Sequence, residues 1–263
     1  MSRLQLAFGC GSLRLAGTLD TAPGTTGLLI VSGGNEIRSG AFAGQSQLAA
    51  RIARAGFPVF RFDRRGVGDS EGENRGFRHA ARDIASAIEA FRALAPQVER
   101  VVAFGNCDAA SALMLAGGAG CDGLVLSNPW TIEGEESDED AASALPPEAI
   151  RARYLEKLRN PREVARLLSG GVDLGKLARG LTRSLRPAPP PSSLAEDMRA
   201  GLTSYGGTVR ILLATADRTA QVFESAWDKD DPRIRRCAGA GHAYVEPEHR
   251  DWLLQEVLAG LRA

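Results

Sequence analysis

The sequence contains few of the residues that define metal-binding, disulfide-rich or aromatic-rich classes of protein. Its 263 residues include four cysteines and three histidines, and aromatic residues make up 6%. The cysteines are scattered, without Cys-x-x-Cys pairs and without histidines at metal-ligand spacing, which argues against a zinc site and against a disulfide framework. We therefore expect a reduced, cytoplasmic protein that needs neither a metal nor an organic cofactor.

An excess of charge and long apolar runs are lacking as well. Lys plus Arg and Asp plus Glu both total 32, so the formal net charge is zero, which gives no support to nucleic acid or an anionic membrane as a partner. No apolar run approaches the ~20 residues of a transmembrane helix, and the first residues lack the apolar core of a signal peptide. The 44% hydrophobic content is typical of a globular domain with a sizeable core.

Short apolar runs alternate with amphipathic segments along most of the chain. An opening hairpin is predicted over residues 3–21, and the other segments are periodic enough to assign. Strands are predicted over 27–32, 58–63, 101–104, 123–127, 208–214 and 234–238, and helices over 45–55, 79–94, 194–203 and 247–261. Such repeated strand–helix units indicate an α/β protein with a mostly parallel sheet and helices on both of its faces.

The alternation of strands and helices stops at about residue 131. A densely acidic stretch follows, then short helices rich in arginine and leucine, and then a proline-rich connector. These segments fit no position in a sheet. We therefore expect residues 131–205 to form a helical cap, inserted between the core segments 1–130 and 206–263.

One strand–helix junction carries a candidate nucleophile, Cys107. The apolar run that ends at Phe104 turns sharply and continues as a helix of small residues. In a Gly-x-nucleophile-x-small turn the reactive side chain sits on a strained bend, so the residues two before and two after it must be small. Gly105 and Ala109 meet this requirement, with cysteine where serine is usual. The alternative is a degenerate site that binds a ligand without turnover.

The partners of a catalytic triad follow Cys107 in the chain. His242 lies in a loop of small residues between the last strand and the last helix, whereas His79 and His249 look like surface residues of helices. Asp217 directly follows a strong strand, where its carboxylate could fix the imidazole tautomer and stabilise the imidazolium. Asp217 could instead cap the next helix, and both roles can hold at once.

With this order of nucleophile, acid and histidine, the chain resembles the α/β-hydrolase superfamily over essentially its whole length. Residues 62–70 look like the family's D-x-R-G-x-G-x-S segment, and the loop of residues 33–36 is where the family places half of its oxyanion hole. The resemblance implies an α/β-hydrolase fold with about eight strands. It also implies that the backbone N–H of Asp108, and that of Gly34 or Asn35, hold the oxyanion.

A narrower resemblance is to the small hydrolases that are encoded with bacterial exosortase systems. Those systems sort proteins and accompany exopolysaccharide synthesis. The resemblance rests on Gly33-Gly34, on Arg38-Ser39-Gly40, on residues 61–66 and on the cysteine turn. It implies a bacterial context and names no substrate.

These residues predict acyl transfer to water through a Cys-His-Asp triad. A histidine partner and a helix N-terminus favour a thiolate, which attacks esters, lactones and thioesters well, although a negative charge on Asp108 opposes the thiolate. Trp130, Tyr154 and Leu155 are candidate lining residues for a small-molecule acyl substrate. An acyltransferase with the same triad and a non-catalytic ligand-binding protein are the alternatives. The sequence does not distinguish a monomer from a homodimer.

Overall fold

Eight β-strands form one sheet, with the predicted hairpin at one edge. The computed structural model describes residues 2–132 and 193–263. The strands are β1 (Arg3–Cys10), β2 (Leu13–Asp20), β3 (Thr26–Val31), β4 (Val59–Phe62), β5 (Arg100–Asn106), β6 (Gly123–Ser127), β7 (Thr208–Ala214) and β8 (Ile234–Cys237). They lie side by side in the order β1-β2-β4-β3-β5-β6-β7-β8.

The sheet is mostly parallel, which confirms the prediction from the repeated strand–helix units. β1 pairs with β2, and β2 with β4, in the antiparallel direction, whereas the pairs from β4 through β3 to β8 are parallel. The β1–β2 turn contains Gly11, whose φ of 62° is a conformation that glycine adopts without strain. Residues 28–31 of β3 are fully buried, as expected for a strand covered on both faces.

Helices cover both faces of the sheet, as predicted. They are α1 (Gly44–Arg54), α2 (Ala81–Leu94), α3 (Asp108–Leu115), α4 (Ser193–Thr203), α5 (Arg218–Ala226) and α6 (Pro247–Arg262). Phe91, Leu113 and Phe223 are buried between one face and α2, α3 and α5, and Ile52 and Val257 are buried beneath α1 and α6 on the other. Burying each such side chain stabilises the fold by about 1.5–3 kcal/mol. None of the described helices is long and apolar enough to cross a membrane.

The carboxyl ends of the central strands meet at one edge of the sheet. Val31 at the end of β3 lies opposite Gly105 in β5, and Asn106 lies opposite Ser127 at the end of β6. Because these strands are parallel, the loops that follow them leave from the same edge. The segments that the sequence singles out for chemistry follow β3, β4, β5, β7 and β8, which all belong to this parallel set, so the fold brings them to the same edge.

Most of the predicted cap lies outside the described residues. This applies to residues 133–192 and therefore to Tyr154 and Leu155, two of the three expected lining residues. The helix predicted after them is present as α4, which packs closely on α3: a Cβ at Gly201 would lie 2.0 Å from the carbonyl oxygen of Met114. The division into a core and a cap stays a prediction.

Candidate active site

Cys107 sits at the sharp turn between β5 and α3. Its φ of 61° and ψ of −129° form a strained backbone conformation for a residue other than glycine, which costs about 1–3 kcal/mol. The turn leaves no room for a side chain at Gly105, where a Cβ would lie 2.7 Å from the carbonyl carbon of Ala109. The Cys107 side chain is half-buried, at the amino end of α3. The backbone therefore presents this thiol at the sheet edge.

His242 and Asp217 lie within hydrogen-bond distance of each other. The Nδ1 atom of His242 is 2.9 Å from Oδ2 of Asp217, whose side chain is buried. The Asp217 carboxylate also accepts hydrogen bonds from the N–H groups of Thr219 and Ala220, and so it caps α5. Asp217 thus makes the contacts of both roles considered for it. Because Asp217 engages Nδ1, the Nε2 atom of His242 is the nitrogen left to exchange a proton with Cys107.

The electrostatic surroundings of the imidazole favour its charged form. Burial by itself lowers the pKa of His242, but hydrogen bonds with Asp217 and Cys107, together with the negative charges of these two groups, raise it to about 10. These contacts therefore favour the imidazolium form of His242 at neutral pH. An imidazolium attracts a negative charge on a neighbouring group.

Two asparagines hold the loop that carries His242. The Nδ2 atoms of Asn106 and Asn128 donate to the carbonyl oxygen of His242 at 3.3 and 3.5 Å. Asn128 is fully buried, donates to Oδ1 of Asn106 and accepts a hydrogen bond from the N–H of Ala214. Sequence reasoning missed both residues. The available signal is their position at the carboxyl ends of β5 and β6, where functional polar groups gather in α/β sheets.

Asp108, which follows Cys107, forms a buried ion pair. Its Oδ1 atom accepts the N–H of Gly34 at 2.6 Å, and its Oδ2 atom lies 3.2 Å from Nη2 of Arg64. The same Nη2 donates to the carbonyl oxygen of Gly34 at 2.5 Å. Arg64 is itself buried, so it compensates the carboxylate charge at short range. The negative charge of Asp108, which was expected to oppose a thiolate at Cys107, is therefore compensated by Arg64.

The hydrogen bond between Gly34 and Asp108 distinguishes Gly34 from the other two expected oxyanion donors. The N–H of Gly34 is already bound to Asp108, whereas the N–H groups of Asn35 and Asp108 form no hydrogen bond with any of the described residues. The loop lies directly against the nucleophile turn, because a Cβ at Gly33 would be 2.6 Å from the carbonyl oxygen of Asn106. The thiol turn and the adjoining loop thus each contain one N–H group, that of Asp108 and that of Asn35, without an acceptor among the described residues.

The Asp63 segment supports the loop that follows β3. Asp63 accepts the backbone N–H groups of Arg38 and Asp69 at 2.5 and 3.2 Å, and it also pairs with the Arg38 guanidinium. A Cβ at Gly68 would lie 2.5 Å from Oδ2 of Asp63, so this turn needs a glycine. The D-x-R-G-x-G-x-S segment therefore holds the loop that follows β3 through the contacts of Asp63 with Arg38.

An open cavity lies between the amino-terminal halves of α1 and α6 and is here named the α1–α6 cavity. Its volume is about 200 Å³. His242 and Glu36 line it together with apolar side chains that include Leu48, Phe104 and Leu253. The cavity therefore joins the proposed base to a space large enough for part of an organic molecule.

Trp130 is not among the described residues that line this cavity. Trp130 exchanges two backbone hydrogen bonds with the Ser111 hydroxyl, and its indole Nε1 donates to the carbonyl oxygen of Ile132. Its part in substrate binding stays a prediction. Within residues 2–132 and 193–263, no group of three or more His, Cys, Asp or Glu side chains could hold a metal ion.

Comparisons with known proteins agree with this architecture. A family model described as "Alpha/beta hydrolase family" matches residues 28–256. Among solved structures, an alpha/beta hydrolase from Penicillium sp. sh18 is 17% identical, with a TM-score of 0.63 over 100% of this chain and 98% of that chain. The predicted fold class is thereby confirmed.

Two further solved structures are similar to this chain. An esterase from Pyrococcus furiosus is 12% identical, with a TM-score of 0.62 over 99% of this chain and 90% of that chain. An α/β serine hydrolase without a lid, from Xanthomonas campestris, is 14% identical, with a TM-score of 0.60 over 100% and 94%. At such identities the likeness shows the fold alone. Among curated proteins, none matches this chain significantly.

Proposed function

The chain belongs to the alpha/beta hydrolase family, and on that premise we propose that it hydrolyses esters, lactones or thioesters with Cys107 as the nucleophile. His242 acts as base and acid, and Asp217 orients it. The observation that carries the proposal is the 2.9 Å contact between Nδ1 of His242 and Oδ2 of Asp217, beside a thiol on a strained turn. These are the geometric roles of a nucleophile, a base and an orienting carboxylate.

The proposed reaction has two steps. The Cys107 thiolate attacks the substrate carbonyl, which forms a C–S bond, and the leaving oxygen or sulfur departs with the proton from Nε2 of His242. Water then attacks the acyl-thioester while Nε2 accepts a proton from it. The C–S bond breaks, the acid is released, and the thiolate–imidazolium pair is restored. Thiolates react well with activated acyl groups, which favours esters and thioesters over amides.

In this proposal the oxyanion is held by the backbone N–H groups of Asp108 and Asn35. Gly34 is excluded because its N–H stays bound to the Asp108 carboxylate. Freeing that N–H would leave the buried Oδ1 atom of Asp108 without this partner, and a buried polar atom left unsatisfied costs about 1–3 kcal/mol. Asp108 then has two roles. Its N–H stabilises the oxyanion, and its carboxylate positions the loop that contains the second donor, the N–H of Asn35.

We also propose a setting for this reaction. The resemblance at the cysteine turn and at residues 61–66 supports an enzyme associated with a bacterial exosortase system. All four cysteines are free thiols, and three of them are buried. Free thiols are typical of a reducing compartment, which supports action in the cytoplasm.

Hydrolysis of p-nitrophenyl butyrate by the purified protein tests the proposed function. We expect turnover by the wild type and a loss of at least about 10³-fold in kcat for Cys107→Ala and for His242→Ala, because nucleophile and base act as a unit. Mass spectrometry of the quenched reaction should find the acyl group on Cys107. His79→Ala, which alters an exposed histidine, is the matched control and should retain activity. Activity that survives Cys107→Ala would overturn the mechanism.

A further inference from the structure

A tight turn follows β3 and contains one of the two donors proposed for the oxyanion. The N–H of Glu36 donates to the carbonyl oxygen of Gly33 at 3.0 Å, which closes a β-turn. Gly34 and Asn35 are its central residues, and Gly34 has a φ of 53° whereas Asn35 is not among the described residues with positive φ. These signs are those of a type II′ turn. The turn lies beside the nucleophile, because a Cβ at Gly33 would be 3.6 Å from the Cβ of Cys107.

The peptide unit between Gly34 and Asn35 has two possible orientations in such a turn. Rotating it by about 180° converts type II′ into type I′, which has a positive φ at the second central residue as well. Asparagine adopts a positive φ more readily than most residues do, so the local sequence allows both forms. Because a peptide is planar and trans, its carbonyl oxygen and its N–H point in opposite directions. The rotation would therefore put the Gly34 carbonyl oxygen where the Asn35 N–H now lies.

Arg64 binds this peptide in one of the two orientations. Its Nη2 atom donates to the carbonyl oxygen of Gly34 at 2.5 Å and to Oδ2 of Asp108 at 3.2 Å. The Oδ1 atom of Asp108 accepts the N–H of Gly34 at 2.6 Å, so both polar groups of Gly34 are held. In the rotated form the carbonyl oxygen would turn away from the guanidinium, and this charge-assisted hydrogen bond would be lost.

The burial of Arg64 is costly in a way that its ion pair does not explain. Only 4% of its surface is exposed, and its Nη1 atom has no hydrogen-bond partner among the described residues. A buried donor without a partner destabilises a fold, and a buried ion pair often stabilises it no more than apolar side chains would. Stability alone therefore gives no sufficient reason for a guanidinium at this position, whereas control of the turn does.

Building on the proposed hydrolase function, we propose that Arg64 is a positioning residue of the oxyanion hole. It holds the peptide in the orientation that offers the Asn35 N–H to the oxyanion, and it acts through that peptide without touching the substrate. In the rotated form the Gly34 carbonyl oxygen would replace this donor. Its partial negative charge would repel the oxyanion, so the rotated form is inactive.

Nuclear magnetic resonance measures the orientation of the peptide without requiring turnover. The amide protons of Gly34 and Asn35 lie far apart in a type II′ turn and close together in type I′, so a nuclear Overhauser effect between them reports the rotated form. Arg64→Met combined with Asp108→Asn removes the hydrogen bond to the carbonyl oxygen and leaves neither charge of the pair buried alone. We expect the effect to be absent in the wild type and to appear in this double variant.

The kinetic test uses the same double variant with p-nitrophenyl butyrate. Loss of one oxyanion donor lowers kcat by about 10²–10³-fold, so we expect Arg64→Met/Asp108→Asn to lose about 10²-fold in kcat with little change in KM. Adding Asn35→Thr should recover most of this loss, because a β-branched residue disfavours the positive φ of the rotated form. A role of Arg64 in folding alone predicts no such recovery.

A neighbouring ion pair supplies the matched control. Arg65 and Asp83 pair at 2.5 Å, and both side chains also contact the thiol of Cys10. Arg65→Met combined with Asp83→Asn removes this pair in the same way. We expect this control to keep the wild-type kcat and the type II′ turn.

The outcomes separate the role of Arg64 from the reaction. A type II′ turn that persists in Arg64→Met/Asp108→Asn, or a loss of kcat that Asn35→Thr does not recover, would overturn the positioning role even if esters are hydrolysed. A rotated turn in the double variant, without hydrolysis of any ester by the wild type, would sustain the orienting contact and contradict the proposed function.

Discussion

A cysteine followed by an aspartate gives the proposed nucleophile an uncommon electrostatic setting. Asp108 is held by Arg64 and by the N–H of Gly34, so its charge is compensated within a few ångström of the thiol. His242 forms hydrogen bonds with both Cys107 and Asp217. At the scale of single residues, we therefore expect the imidazolium to be the charge with the largest effect on the reactivity of the thiol.

The pH dependence of alkylation tests that conclusion. The pKa of His242 is raised to about 10, so the imidazolium persists through neutral pH and is lost only as the pH rises through that value. We expect iodoacetamide to modify Cys107 faster in the wild type than in His242→Ala at about pH 7, because the imidazolium favours the thiolate. The difference between the two rates should shrink as the pH rises through about 10, where the imidazolium is lost.

Cys107→Ala serves as the control for this measurement, since the other three cysteines are buried and should react slowly. Mass spectrometry identifies the modified residue. If wild type and His242→Ala give the same rise of rate with pH, the imidazolium does not activate the thiol.

The local sequence predicted some site residues and missed others for a physical reason. Gly105 and the residue order Cys107, Asp217, His242 follow from constraints that act within a turn or along the chain. The pairing of Asp108 with Arg64 joins residues 44 positions apart, and neither residue carries a local pattern that reveals its partner. Tertiary pairing of this kind emerges only from the packed structure.

At the scale of elements, the start of α5 joins helix stability to the orientation of the base. Asp217 caps this helix through the N–H groups of Thr219 and Ala220 while its Oδ2 atom meets His242. The two hydrogen bonds from the start of α5 restrict the orientation of the Asp217 carboxylate. The cap therefore fixes this carboxylate in place for its contact with the imidazole of His242.

Two substitutions at Asp217 separate these roles. Asparagine caps helices as well as aspartate does, so Asp217→Asn should unfold at a higher urea concentration than Asp217→Ala. It should still lose roughly 10⁴-fold in kcat, because an amide does not stabilise the imidazolium. Asp217→Ala should lose similar activity and, in addition, about 1 kcal/mol of unfolding free energy. Wild-type activity in Asp217→Asn would show that Asp217 serves as a helix cap and does not act in the reaction.

At the scale of the whole molecule, strand and helix order was predictable, but the relation of distant segments was not. Buried runs such as residues 28–31 and helical spacing such as that of Leu48 and Ile52 identify elements by their own periodicity. The place of β4 between β2 and β3 depends on which edges pair, and no local pattern specifies it. The α1–α6 cavity likewise arises between elements far apart in the chain.

The acid stability of the molecule depends in part on a buried carboxylate near β8. A hydrogen bond from Arg233, and another from Trp227, lower the pKa of Asp231 to about 2, although burial opposes them. Because the pKa is lowered, the ionised Asp231 carboxylate stabilises the fold at pH values above about 3.8. This contribution to the unfolding free energy is lost as the pH falls through about 2. The contribution is about 1–2 kcal/mol.

Urea unfolding at about pH 7 and about pH 2.5 measures this contribution. The wild type should lose more unfolding free energy on acidification than Asp231→Asn does, by about 1–2 kcal/mol. Glu89→Gln, at an exposed position, should follow the wild type. An equal pH dependence in Asp231→Asn and wild type would contradict the prediction.

The contact between Gly34 and Asp108 has a consequence for product release. Hydrolysis of an ester yields a carboxylate, which in many hydrolases can rest on the backbone donors that held the oxyanion. Here the N–H of Gly34 in that loop already donates to the Asp108 carboxylate. An acid formed at Cys107 therefore finds one backbone donor fewer in the loop, so the proposed reaction should show weaker inhibition by its own acid product than a site in which that donor is free.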